Sequence, residues 1–294
     1  MTNPTTALDV DLELVEHLED RAAHIRKQVV RGAYLIPGTV HLGGPLSATD
    51  VAVALYYHFL GFDPENLDDP DRNRFILSKG HNGVLLYNIL ADLGLYTFDE
   101  VFGGYNKPHH PFGMHPNMHY IRGIEASTGS LGHGLSLGVG LSLANRADGR
   151  TSRTFVMTGD GEMEEGSNWE AIMYAGSHGL SNLVAIVDFN RSTGSFRHGE
   201  HMVVDWKPAF ESFGWDVVEI DGNDMTAVVR AFSQLPPVVP GEKGKPVAVI
   251  SNTVKGFGVD FMNGPKWHLG SINDENLQIA IESIDRNKLA RRSH

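Results

Sequence analysis

The feature that most constrains this chain is the alternation of strand and helix signals after residue 150. Short apolar runs predict strands at 154–158, 183–189, 217–220 and 247–250, with helices at 169–177 and 225–232. Strands that are buried on both faces and alternate with helices predict a parallel, twisted sheet with helices on both faces, an α/β fold. Ligands of such sheets bind at the carboxyl ends of the strands.

The first part of the chain adds helices to this plan. A long amphipathic N-terminal helix is predicted, because apolar side chains recur at three- and four-residue steps. These side chains are Leu14, Leu18, Ala22, Ile25 and Val29. Ser47 and Asp50 resemble a capping box that would start a buried helix at 51–60. Another helix is expected to follow Asn82 and to end near Gly94.

Charge and composition exclude several classes of function. The net charge is -12 and there is no basic block, so nucleic acid is not expected as a partner. The sequence has no cysteine, which excludes thiol nucleophiles and thiolate metal ligands. Residues 1–14 lack a basic stretch followed by an apolar one, and no apolar run approaches the ~18 residues of a membrane span. A cytoplasmic protein without membrane association is expected.

Two segments predict a metal site at the edge of the sheet. Gly159-Asp160-Gly161-Glu162 follows the first of these strands directly, and the next strand runs into Asn190. Mg²⁺ prefers six oxygen ligands, and a carboxylate, a side-chain amide, a backbone carbonyl, a diphosphate and water can supply them. The glycines let backbone N–H groups approach phosphates, and the helix after Gly166 can add its positive end. A lone Gly-Asp-Gly is usually a turn, so the prediction depends on the whole combination, which resembles the thiamine diphosphate motif.

Further segments appear in the order of the transketolase family, and the chain resembles the N-terminal subunit of split transketolases from about residue 20 to residue 280. The segments are His41-Leu42-Gly43-Gly44-Pro45, Leu77-Ser78-Lys79-Gly80-His81, His115-Pro116, Thr128-Gly129-Ser130-Leu131-Gly132, Gly159-Asp160-Gly161 with Asn190, and Lys255-Gly256-Phe257-Gly258 with Trp267-His268. The resemblance implies a single thiamine-diphosphate-binding domain over 1–294 and two cofactors, thiamine diphosphate and Mg²⁺.

The resemblance also implies a role for each matching residue. Magnesium would be held by Asp160, Asn190 and the backbone carbonyl of Ser192. The coenzyme would contact His81, Gly129, Ser130, Leu131, Gly159, Asp160, Gly161, Glu162, Asn190 and His268. Catalytic roles with sugar hydroxyls and protons would fall to His41, His81, His115 and His268, since imidazole exchanges protons near neutral pH. Glu165 would be the interface glutamate that links two active sites.

The assembly that follows has two kinds of chain. The family's activating glutamate lies in a pyrimidine-binding domain, and this sequence ends after one more amphipathic helix that starts near Leu277. The pyrimidine-binding and C-terminal domains are therefore expected on a companion chain, in a heterotetramer of two plus two. The implied reaction transfers a two-carbon ketol unit from a ketose to an aldose.

Alternatives remain at this point. The alpha chain of a 2-oxoacid dehydrogenase is of similar build but lacks the histidine array, and a non-catalytic partner would not need the metal ligands. Leu42, Met114 and His133 depart from the family pattern near the substrate, so the sugars stay open. The glycine-rich helix at 132–140 indicates either close approach to a cofactor or partner helix, or tight packing in the core.

Overall fold

A five-stranded parallel sheet forms the centre of the chain. The computed structural model describes residues 10–194, 196, 197 and 203–292. Its strands are β1 (Val40–His41), β2 (Arg74–Leu77), β3 (Thr154–Gly159), β4 (Leu183–Phe189), β5 (Ser192–Thr193), β6 (Phe196–Arg197), β7 (Asp216–Asp221), β8 (Val247–Asn252) and β9 (Leu269–Gly270). The central sheet has the order β2-β3-β4-β8-β7, and all of its neighbouring pairs are parallel. The predicted α/β class is confirmed.

Helices cover both faces of this sheet, as predicted. The α-helices of the described ranges are α1 (Leu12–Leu35), α2 (Gly43–Ala54), α3 (Gly83–Asp92), α4 (Phe98–Gly104), α5 (Gly134–Ala147), α6 (Gly166–His178), α7 (Trp206–Ser212), α8 (Met225–Ser233) and α9 (Asp274–Arg291). Successive side chains of a strand point to opposite faces. Phe155 and Met157 accordingly pack in the core with α1, α2, α3 and α8, whereas Val156 packs in the core with α5, α6 and α7.

The long N-terminal helix is confirmed as α1. The Asp11 side chain caps it by accepting hydrogen bonds from the backbone of Glu13 and Leu14. The predicted apolar stripe faces the core, and Leu18, Ile25 and Val29 are fully buried. Burial of this stripe, rather than helix propensity alone, fixes α1 against the neighbouring helices α2, α3 and α8.

The predicted capping box at Ser47 and Asp50 is wrong, because α2 already begins at Gly43. Both residues lie in the middle of α2, and their buried side chains make tertiary contacts instead. Asp50 accepts hydrogen bonds at 2.6 and 2.9 Å from the guanidinium of Arg26, and Ser47 donates one at 2.7 Å to Asp188. A buried charge needs such a partner, so these polar residues report tertiary contacts and not a helix start.

Strand β7 is not buried on both faces as expected. It lies at the edge of the sheet beside β8, and Asp216, Glu219 and Asp221 are exposed. Charged side chains on an edge strand oppose pairing with other chains. The other predicted strands of the central sheet are buried.

The glycine-rich helix α5 packs tightly within the chain at two positions. A Cβ on Gly134 would lie 2.3 Å from the Ser78 hydroxyl, and one on Gly138 would lie 2.4 Å from Val156. Gly140 faces open space. Core packing therefore explains the glycines at 134 and 138.

Segments from the two ends of the chain meet beside the sheet. Strands β1 and β9 pair antiparallel, with His41 opposite Leu269, and α1 packs on α9. The sequence predicts that residues 1–14 are not a signal peptide, and residues 1–9 of this stretch lie outside the described part of the chain. None of the helices in the described ranges combines the length and the apolar character needed to cross a bilayer.

Candidate functional site

A cavity of about 250 Å³ lies at the carboxyl edge of the sheet. The register of β3 and β4 places Gly159 opposite Asp188, so the segments that follow the two strands meet there. The cavity is lined by His41, Gly44, Lys79, His81, His115, Gly129, Leu131, Gly159, Asp160, Gly161, Glu162, Asn190, Ser192, Thr193, Gly194, Lys255 and His268. Most of the residues predicted for the site therefore surround a single cavity.

Asp160 is a buried carboxylate held by backbone groups. Its two oxygens accept hydrogen bonds from the N–H of Gly161 at 3.0 Å and of Ser192 at 2.9 Å. Burial raises the pKa of Asp160 to about 6, against the lowering effect of nearby Lys79. Because burial disfavours the ionised form of this carboxylate, a cation bound beside it would stabilise that form.

Asn190 presents an oxygen that has no partner. Its side-chain nitrogen donates to Ser47 Oγ at 3.2 Å and to Asp188 Oδ2 at 3.3 Å, whereas its Oδ1 is buried without a hydrogen bond. Leaving a buried acceptor unsatisfied costs about 1–3 kcal/mol. A magnesium ion would satisfy this oxygen together with the Asp160 carboxylate, so the residues present fit the ion. Within the described ranges, no cluster of three or more His, Asp or Glu side chains offers another metal site.

Asp188 joins the ends of the strands around this site. Its carboxylate accepts hydrogen bonds from Lys79 Nζ at 2.5 Å, Thr253 Oγ1 at 2.5 Å and Ser47 Oγ at 2.7 Å. These donors follow β2, follow β8 and lie in α2. The buried network fixes the strand end that carries Asn190.

Glu162 holds a loop against the sheet. One carboxylate oxygen accepts from Ser78 Oγ at 2.5 Å and from the Gly132 N–H at 3.0 Å, and the other accepts from the Gly159 N–H at 3.1 Å. Burial raises the pKa of Glu162, and these hydrogen bonds oppose the shift. Glu162 lines the cavity, yet its oxygens are used to position the loop at 128–132.

That loop places Gly129 and Leu131 in the cavity wall. Gly129 has φ 150, and a Cβ there would lie 3.0 Å from the His115 ring, so the close approach requires glycine. Ser130 and Glu165 do not line the cavity, and both are exposed. Glu165 immediately precedes α6 as its N-cap residue.

Three histidines from separate segments form a cluster in the cavity. The ring centres of His41 and His81 are 5.0 Å apart, those of His41 and His268 are 5.0 Å apart, and those of His81 and His268 are 5.4 Å apart. His115 lines the same cavity and is more exposed. The four predicted histidines are thus brought together.

The cavity keeps these histidines neutral. Burial lowers the pKa of His41 to about 3 and that of His268 to about 4, and it lowers the pKa of His81 well below its ordinary value. Positive charge from Lys79 and Lys255 adds to the lowering for all three rings. Neutral imidazoles can both donate and accept hydrogen bonds, which suits contacts with hydroxyl groups.

Two lysines supply the positive charge that the sequence reasoning did not assign. Lys79 is paired with Asp188. Lys255 Nζ donates to the Gly194 carbonyl at 2.7 Å and lies 3.3 Å from His268 Nδ1. Burial lowers the pKa of Lys255 to about 8. Both lysines lie inside the family segments named in the sequence analysis, but the sequence alone did not assign a role to either of them.

The helix contribution also differs from the prediction. None of the lining residues belongs to α6, so the expected positive end of that helix is not placed at the cavity. Gly44 in the first turn of α2 does line it.

The parallel sheet, with a carboxylate and an amide at its edge, has the features of a thiamine-diphosphate-binding domain. The chain belongs to the transketolase family, because residues 36–285 match the family described as transketolase, thiamine diphosphate binding domain. This match confirms the predicted family and the prediction of a thiamine-diphosphate-binding domain.

Two curated relatives match over most of their own length. The chain is 35% identical to an apulose-4-phosphate transketolase subunit of Actinobacillus succinogenes, over 92% of this chain and 96% of that protein. It is 34% identical to a 6-deoxy-6-sulfo-D-fructose transketolase subunit of a Clostridium species, over 85% and 90%.

Solved transketolases share the fold over part of their length. The transketolase of Campylobacter jejuni superposes with a TM-score of 0.78 at 24% identity, over 97% of this chain and 48% of that one. The chain therefore spans about half the length of this solved transketolase.

Proposed function

We propose that this chain is the thiamine-diphosphate- and magnesium-binding subunit of a two-chain transketolase, which transfers a two-carbon ketol unit from a ketose to an aldose. The observation that carries the proposal is the buried Asp160 carboxylate beside the unpartnered Asn190 oxygen, in a cavity that also holds the histidine cluster. The named relatives are subunits of transketolases, which supports the same division of the enzyme.

The residues divide into two sets by chemistry. Asp160, Asn190 and the carbonyl of Ser192 would hold Mg²⁺, and His81, His268 and the glycines would lie beside the diphosphate. Lys255 would add a positive charge near that anion, since its ammonium lines the cavity. When bound, the coenzyme supplies the carbanion chemistry that breaks and forms the carbon–carbon bond.

The histidines would handle the sugar. Lowered pKa values keep His41, His81, His115 and His268 uncharged, so each ring can accept a proton or a hydrogen bond at one nitrogen and donate a hydrogen bond to a sugar hydroxyl from the other. His41 lines the cavity, and its buried Nδ1 has no hydrogen-bond partner in the described residues, which leaves one hydrogen-bonding position of the ring unused. Binding of an anionic diphosphate would raise the pKa of these rings toward the range where proton exchange is fast.

A companion chain would complete the site. The pyrimidine-binding domain and the activating glutamate are proposed to lie on that companion, in a two-plus-two assembly. Exposed apolar side chains on α5 and α6 support an interface near Glu165: Leu137 is 45% exposed, Met173 45% and Tyr174 42%. Such side chains favour burial in a protein contact when they cluster.

The test compares the chain alone with the assembled enzyme. A tagged chain, expressed in its native cell, should co-purify with a chain that carries a pyrimidine-binding domain. The two chains together should transfer ketol units in the presence of thiamine diphosphate and Mg²⁺, whereas this chain alone should show negligible transfer. In the assembled enzyme, Asp160→Ala should abolish the Mg²⁺-dependent binding of thiamine diphosphate. Robust transfer by the single chain would contradict the two-chain proposal.

The same preparation separates the alternatives. Decarboxylation of a 2-oxoacid in place of sugar transfer would indicate the dehydrogenase class, and tight assembly without any coenzyme binding would indicate a non-catalytic partner. The sugars are to be found with a panel of ketoses, with and without a phosphate or sulfonate group, because the relatives are named for such different substrates. The cytoplasmic location stays a prediction of the sequence.

A further inference from the structure

Arg191 lies between two proposed metal ligands with an unusual backbone conformation. Its φ is 57, in the left-handed region, which side chains other than glycine rarely adopt. In the described part of the chain, the other non-glycine residues with positive φ are Asn106 and His109, which lie in a different loop. A strained residue between Asn190 and Ser192 requires a physical reason.

The reason is a corner in the chain. Strand β4 ends at Phe189, and from Ser192 the chain enters the separate antiparallel pair of β5 and β6. The left-handed turn at 191 brings the Ser192 N–H to within 2.9 Å of Asp160 Oδ2. An extended residue at this point would continue the strand and carry Ser192 past Asp160.

The exposed side chain of Arg191 stabilises this turn through contacts with two strand ends. Its guanidinium lies 5.0 Å from the centre of the Phe189 ring, and Nη2 donates to Asn252 Oδ1 at 3.1 Å. Asn252 is the residue opposite Phe189 in the pairing of β4 with β8. The arginine is therefore anchored to two strand ends, and these contacts offset the cost of its backbone conformation.

We propose that Arg191 is a positioning residue for the metal site: its left-handed backbone sets the Asn190 oxygen and the Ser192 carbonyl around the ion that Asp160 would bind. This inference rests on the proposed function, and it adds a residue that does not touch the ion. A side chain that disfavours the left-handed region lowers the fraction of chains with a competent corner. The apparent metal affinity falls by the same factor.

Two substitutions separate the backbone from the side chain. Arg191→Gly removes the guanidinium but adopts the left-handed region freely, whereas Arg191→Val removes the guanidinium and strongly disfavours that region. We expect Arg191→Gly to keep the metal affinity within about threefold of the wild type, and Arg191→Val to lower it about tenfold or more. His109→Val is the matched control, because it places the same strain at a residue that does not line the cavity and adjoins none of the proposed metal ligands, and it should leave the affinity unchanged.

The measurement is the binding of Mn²⁺, a substitute for Mg²⁺, to the co-purified enzyme in the presence of thiamine diphosphate. Electron paramagnetic resonance counts the free Mn²⁺, and thermal unfolding of each cofactor-free variant confirms that it is folded at the temperature used. Rescue of affinity by glycine, relative to valine, supports the positioning role, because a general loss of stability would not follow this order.

The outcomes also separate this inference from the proposed function. Equal affinities of Arg191→Gly and Arg191→Val, with Asp160→Ala still abolishing binding, would overturn the role of Arg191 and leave the metal site standing. Unchanged Mn²⁺ binding by Asp160→Ala would overturn both.

Discussion

Lys79 and Asp188 form a buried ion pair across the carboxyl end of the sheet, with Lys79 Nζ 2.5 Å from Asp188 Oδ2 and both side chains 2% exposed. The two residues belong to the ends of β2 and β4, which are not neighbours, because β3 lies between them. The pair therefore spans the strand that leads into Asp160, and it couples the stability of the sheet edge to the geometry of the proposed metal site.

Removing one member of this pair should be costly. Lys79→Met leaves the Asp188 charge buried without its cation, and we expect the free energy of unfolding to fall by about 3 kcal/mol or more. Chemical denaturation of the cofactor-free chain measures the change. Lys79→Met combined with Asp188→Asn should recover part of the loss, because no uncompensated charge remains. A Lys79→Met chain as stable as the wild type would contradict the importance of the pair.

Asp160→Asn should stabilise the cofactor-free chain while abolishing metal binding. Burial raises the pKa of Asp160 from 3.8 to about 6, so its contribution to stability is full below pH 3.8 and is lost as the pH rises through 6. At about 1.4 kcal/mol per pH unit, ionisation costs about 3 kcal/mol at pH 7. Loss of a backbone hydrogen bond offsets about 1 kcal/mol of the gain. We expect a net gain of about 2 kcal/mol at pH 7, measured by urea unfolding, and none at pH 3.5.

The same carboxyl group predicts a pH dependence of metal binding. Mg²⁺ competes with the proton on Asp160, so the apparent affinity should be nearly constant above pH 7 and fall as the pH drops below about 6. Calorimetric titration of the co-purified enzyme between pH 5 and 8, an interval chosen to bracket that pKa, tests this. An affinity that is independent of pH over this interval would show that the metal binds elsewhere.

Lys255→Met should raise the pKa of His268. Burial is the main cause of the lowered pKa, which is about 4, and the Lys255 charge is the next. The ring should therefore titrate closer to its ordinary 6.5 in the variant, as followed by nuclear magnetic resonance of the cofactor-free chain. Lys266→Met is the control, because Lys266 is exposed and does not contribute to the shift. An unchanged His268 pKa in Lys255→Met would mean that the Lys255 charge does not contribute to the shift.

Gly129→Ala should weaken coenzyme binding. Its φ of 150 strains any other residue, and the added carbon would lie 3.0 Å from the His115 ring. A strain of about 1–3 kcal/mol corresponds to a loss of affinity of roughly 5- to 150-fold. Gly103→Ala, in the exposed part of α4 with open space around it, should leave binding unchanged. Fluorescence titration of thiamine diphosphate compares the two.

The parts of the fold that depend on local pattern were predicted from the sequence. The apolar stripe of α1 and the continuous apolar run of β4 each identify an element, because burial of one helix face or of a whole strand leaves a periodic signal. Asp160 and Asn190 were placed at one edge because parallel neighbours end together. The resemblance to a family added the histidines, which no periodicity would have selected.

Contacts between distant segments could not be predicted in the same way. Ser47 and Asp50 look like a helix start in isolation, but their partners are Asp188 and Arg26, far away in the chain. Lys79 stood in a quoted motif without a role, because its partner is visible only in three dimensions. The edge position of β7 depends on strand order, which the strand pattern alone does not determine.

The pairing of β1 with β9 has a consequence for how the chain acquires its site. Asp160 and Asn190 are separated by one helix and one strand, whereas His41 and His268 meet only when the two ends of the chain close on each other. Long-range closure is slow compared with local assembly, because a larger loop must be ordered first. The ion-binding edge can therefore form before the imidazole wall, which is completed only when β1 pairs with β9.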